Sequence, residues 1–162
     1  MAVQAYLTNY ATSVGVKDEP GKNAHEVVRY VGYASPAAAD DDGSTYLIAK
    51  SVPSSFRPVK ITVMTTAITS GSDYDLGVYN PRTGAAVTKD LFMDGQTLAS
   101  ASRTLDGLAN VSLANIGALK SIAELLSLTP TTALPEYDIV LTGNTVGSAA
   151  GDVVVLIDGF AA

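Results

Sequence analysis

YLIAKSVPSSFRPVKITVMTTAITSGSDYDLGVYNPRTGAAVTKDLFMDG, running from Tyr46 to Gly95, decides the fold. Two β-rich runs, Tyr46–Lys50 and Val59–Ile68, flank a turn carrying Pro53 and Pro58. After a Gly/Ser break at Ser70–Ser72, Tyr74, Leu76 and Val78 alternate with Asp73, Asp75, Gly77 and Tyr79. Successive strand side chains point to opposite faces, so this alternation reads as an antiparallel strand with one face buried. Asn80–Gly84 (NPRTG) places proline second, as a type I turn favours, and Ala85–Thr88 reads as a short hairpin return.

Working outward, His25–Tyr33 (HEVVRYVGY) and Ser44–Ser51 read as strands, separated by a Pro/Asp/Gly loop at Ser35–Gly43. Two further strands close the chain, Glu136–Thr142 (EYDIVLT) and Asp152–Asp158 (DVVVLID), with a turn region over Gly143–Gly151. Between these groups Leu113, Ile116, Leu119, Ile122, Ala123 and Leu126 recur at helical spacing. Ser112 is placed to cap that helix, and Pro130 lies just past its end. The pattern reads as an all-β chain, an antiparallel β-sandwich with one short helix inserted late.

Residues 25–162 form the expected sandwich domain. Met1–Ala24 is small and polar, broken by Gly15, Pro20 and Gly21, and reads as a flexible N-terminal arm. Tyr6, Leu7 and Tyr10 are its exceptions and the candidate anchors for a partner interface, because such side chains gain by leaving water. The other reading of the same segment is an edge strand of its own sandwich.

Composition excludes several function classes. Apolar residues make up 47% and charged residues 16% of the 162, which suits a packed globule. There is no cysteine, so neither a disulfide framework nor a thiolate metal site is available. A net charge of −6 repels nucleic acid, and no basic run reverses that locally. No apolar run approaches a membrane span, and Met1–Tyr10 lacks the charged start and apolar stretch of a signal peptide. The expected product is soluble and made in a cytoplasm.

Candidate chemistry is sparse. His25 is the single histidine, so no multi-histidine metal site can be built, and no G-x-S-x-G elbow accompanies it. Asp40, Asp41 and Asp42 with Gly43 are the densest carboxylate cluster, but a calcium loop ending its first half at Gly43 needs acids where Ala38 and Ala49 stand. Asp73 and Asp75 share one strand face at a spacing of about 7 Å, without a second wall for a glycosidase pair. Phosphate-cradling glycine motifs are absent. The expectation is no enzyme, no cofactor and no metal.

The order YLIAK–turn–VKITVMTTAI, DYDLGVYNPRTGAAV–TKDLFMDG, IAELLSLTP, EYDIVLTG and GDVVVLIDG resembles the small capsid decoration (cement) proteins of tailed bacteriophages. The likeness spans about Thr45–Gly159, with Asp73–Gly95 its most specific piece. It implies a jelly-roll-like sandwich and a homo-oligomer, a trimer before a dimer. It also implies a partner in the major capsid protein and a place on the capsid exterior. The reading that competes is a β-sandwich binding module of a phage tail or receptor-binding apparatus.

Overall fold

The structure, a computed structural model, describes residues 3–5, 26–129 and 131–161. Nine strands are described: β1 (Val3–Ala5), β2 (Glu26–Ala34), β3 (Ser44–Pro53), β4 (Arg57–Thr65), β5 (Asp73–Tyr79), β6 (Ala86–Gln96), β7 (Arg103–Asp106), β8 (Glu136–Thr145) and β9 (Val153–Ala161). They form two antiparallel sheets, a five-stranded one ordered β1-β2-β9-β4-β7 and a four-stranded one ordered β3-β8-β5-β6. From β2 onward the chain changes sheet at every connection except β5–β6, which is the double Greek key of a jelly roll. The sandwich expected from the alternation is therefore present, and its topology is specified.

The core lies between the sheets. Val28, Tyr30, Ile61, Val63, Val153, Val155 and Ile157 face Ile48, Val52, Tyr74, Leu76, Val78, Tyr137, Ile139 and Leu141. Each large side chain buried there contributes about 1.5–3 kcal/mol. Tyr30 and Phe56 meet edge-on, with centroids 5.3 Å apart. That geometry sets the positive ring edge against the negative ring face.

Two elements differ from the sequence reading. The hairpin return is an 11-residue strand, β6, and not a four-residue one. Its pairing with β5 is irregular: Leu76 opposes Met93 and Val78 opposes Thr88, so two steps along β5 match five along β6. Phe92 and Met93, adjacent in sequence, are both buried. A bulge of this kind erases the period of two. Asn110 caps the far side of β6, its N–H donating to the Phe92 carbonyl and its amide to the Asp90 carbonyl.

The helical stripe is divided. The structure has α1 (Leu113–Gly117) and α2 (Ile122–Leu125), with Leu119 between them at φ 50°. Ser112 caps α1 as its position implied, accepting from Asn115 N–H. Ser121 starts a second helix with a full capping box, its hydroxyl accepting from Glu124 N–H while Glu124 accepts from Ser121 N–H. Ile122 is buried, whereas Leu113 is 86% exposed. Ile122 and Ala123 donate their N–H groups to the Phe56 and Ser54 carbonyls, so the segment seals the sandwich end at the β3–β4 turn.

Candidate interaction surface

The outer faces of the two sheets differ in chemistry. On the five-stranded sheet the inward phase of β2 and β9 fills the core, yet the outward phase is apolar too: Val27, Val31 and Tyr33 on β2, and Val154, Leu156 and Phe160 on β9. Met64 on β4 continues this surface beside Val154. Val27 is 52% exposed, Tyr33 42% and Met64 37%, values high for large apolar side chains on one face. One charged row crosses its centre, Arg29–Asp158–Lys60 on β2, β9 and β4, while Arg57 opposite Phe160 and Asp106 opposite Thr62 add charges toward its β4–β7 edge. Arg29 donates to both Asp158 oxygens, at 2.6 and 2.9 Å, a bidentate fork. That pairing raises the Arg29 pKa further. Asp158 is thereby engaged from one side, with the Lys60 ammonium carried on the next strand.

The four-stranded sheet presents polar groups outward. Asp73 and Asp75 do share this face, as their parity requires. Asp75 is nearly buried and accepts from Gly95 N–H at 2.8 Å and from the Asn144 amide at 2.6 Å. Asp73 accepts from the same amide at 3.1 Å, and Lys89 donates to the Asn144 carbonyl oxygen at 2.8 Å while its ammonium stands 3.8 Å from Asp75. Tyr79 and Thr142 hydroxyls meet at 2.6 Å beside them. These groups tie β5, β6 and β8 together, with both Asp75 oxygens and one of Asp73 bonded to a neighbouring strand.

The Asp40–Asp42 cluster is a loop clasp. Asp40 accepts from Ala37 N–H and from the Tyr46 hydroxyl, at 2.9 and 2.7 Å. These bonds hold its pKa below the ordinary carboxylate range, the backbone donor contributing most. Asp42 accepts from Val146 N–H at 3.0 Å, and the Tyr74 hydroxyl donates to the Val146 carbonyl at 2.8 Å. Burial first, then the charges of Asp40 and Asp42, push the Tyr74 phenol up to about 12. The loops before β3 and after β8 are thus pinned to each other. Among the described residues no three His, Cys, Asp or Glu side chains converge as a metal site would need. No described helix is long and apolar enough to cross a membrane.

Tyr6, Leu7, Tyr10 and His25 lie outside the described residues, as does most of the Met1–Ala24 segment; its Val3–Ala5 stretch pairs with β2, opposite Arg29–Val31. Sequence reasoning missed the apolar outer face of β2 and β9. The signal was there, because VVRYVGY and VVVLI are apolar in both phases, where a strand with one solvated face should alternate.

No protein-family model matches the chain, nor does any curated protein sequence. Among solved structures, a chain of the "Cyanophage Pam1 capsid asymmetric unit" is similar in fold, with a TM-score of 0.57 at 14% sequence identity. The similarity covers 90% of this chain and 93% of that one.

Proposed function

We propose that this chain is a structural protein of a phage virion, a decoration or cement protein. In that role it binds the outer surface of the head and stabilises contacts between major capsid subunits. The fold-level likeness to a chain of a cyanophage capsid asymmetric unit over 90% of the length carries the reading. Two features of the chain support it. The carboxylates of Asp40, Asp42, Asp73, Asp75 and Asp158 are taken up in closing loops and bridging strands, which suits a scaffold. Its apolar outer sheet face supplies the kind of surface by which one protein holds another.

The capsid exterior is the proposed location and the major capsid protein the proposed partner. The test is reconstitution. Capsids assembled without this chain should bind the purified protein to saturation at a fixed ratio per subunit, and then withstand heat or chelation longer. Unaltered stability together with absence of binding rejects the role. Binding instead to a host surface glycan, with none to capsids, favours the tail-module reading.

A further inference from the structure

The outer face of the five-stranded sheet repeats its chemistry across β2 and β9, row by row. The opposed residues are Val27 and Phe160, Arg29 and Asp158, Val31 and Leu156, and Tyr33 and Val154. Three rows are apolar on both strands. The remaining row carries opposite charges on the two strands. Half a turn about a line along the strands, midway between β2 and β9, exchanges the two columns and leaves the rows in place.

The geometry points to this face as a two-fold interface between copies of this chain, with Arg29 of each copy set against Asp158 of the other. Under that rotation every apolar row lies on an apolar row, and residue i meets j while j meets i, as an isologous contact requires. Sheets packed face to face cross at about 30°. Such a crossing displaces the end rows by about one strand spacing, which apolar rows tolerate. The charged row lies near the pivot and keeps its register. Lys60, one strand further out, falls beyond the paired columns and meets no cation.

Nine residues on each of β2, β9 and β4 with three on β1, at about 4.8 by 3.3 Å per residue, give an overlap of roughly 480 Å², a small interface beside the ~800 Å² each partner contributes to a standard one. The outer face of the other sheet, where Leu47 and Val87 stand exposed among polar groups, lacks such a pattern. This pairing does not depend on the capsid reading, and it puts a two-fold where the resemblance to decoration proteins implies a three-fold.

The test is charge complementation on the full chain. Light scattering at micromolar concentration should give twice the 16.7 kDa chain mass. Arg29→Asp and Asp158→Arg, each alone, oppose like charges and should each give monomers. Mixed in equal amounts they should recover the doubled mass, because each acid then faces a base across the interface. An ion pair acting only within one copy predicts no such recovery. Val154→Glu leaves both ion-pair residues in place and should also give monomers, so it decides the matter if a charge reversal prevents folding. Leu47→Glu, at an exposed position on the opposite sheet, should stay paired. A tripled mass, a wild-type monomer at every concentration, or a mixture that remains monomeric overturns the proposal. A wild-type monomer would leave the face to another occupant, residues 6–25 of the same chain included.

Discussion

Gly77 sets how closely β6 crosses β5. A Cβ at this position would overlap the Thr88 carbonyl oxygen and the Lys89 backbone, and neither can move without breaking the bulge. Gly77→Ala should therefore cost about 1–3 kcal/mol, the usual range for forced overpacking. Gly84 offers a contrast: it stands at φ +70° in open space, so alanine there meets only backbone strain, about 1 kcal/mol. Urea unfolding of the two variants should rank Gly77→Ala well below Gly84→Ala; equal losses would show that β6 can shift.

Asp40 and Glu124 on the acid side and Tyr74 on the alkaline side set opposite limbs of the stability profile. Asp40 has a lowered folded pKa, so its contribution is present above the unfolded value of about 3.9 and is lost as pH falls through the folded value. Glu124, lowered by its bonds to Ser121, acts in the same direction. Tyr74 is raised, so its contribution is complete below about pH 10 and is lost as pH climbs through about 12. Melting temperature against pH should fall at both ends, and Asp40→Asn should flatten the acid limb and, by removing one of the charges that raise Tyr74, weaken the alkaline one as well. An acid limb unchanged by that substitution would mean other carboxylates govern it.

At the scale of elements, the divided helix shows what local chemistry overrides. A six-position apolar stripe argues one helix from Leu113 to Leu126, yet Ser121 and Glu124 form a capping box inside it and begin a new one. Burial is complete only in the second half of the stripe, at Ile122, while in the first half Ile116 packs partly buried against the core. Ser121→Ala should cost about 1 kcal/mol, the ordinary worth of an N-cap, and loosen the contact of α2 with the β3–β4 turn. Hydrogen exchange at the Ile122 and Ala123 amides should speed up in that variant; unchanged protection would place their stability elsewhere. The strands were legible where polar and apolar residues alternate, as in Asp73–Tyr79 and Glu136–Thr142, although the polar phase there is itself largely buried, as at Asp75 and Thr142. They were not legible in β6, where five residues answer two on the neighbour, nor in the four-residue β7, too short to show a period. The loop clasp of Asp40 and Asp42 was visible only as a cluster of acids, because its donors come from residues as distant as Val146.

At the scale of the whole molecule, long-range pairing dominates. β2 and β9 pair from Glu26 with Ala161 to Ala34 with Val153, joining the two ends of the described domain. Folds built on such contacts pay their loop-closure entropy before any strand is rewarded, and fold in milliseconds to seconds. Stopped-flow refolding should fall in that range, and a microsecond phase with native signal would contradict the topology.

The central position of β9 in its sheet has a further consequence during synthesis. β9 is the last of the described strands to be made, yet it separates β2 from β4. At roughly 5–20 residues per second, the ribosome needs about 5–20 s to travel from the end of β4 to the end of β9. For that interval β2 and β4 have no central neighbour, and the sheet cannot close around the nascent chain. Folding therefore waits for the last strand to clear the ribosome, and a chain that breaks off before Val153 is left with two apolar edges for the cell's chaperones and proteases to find.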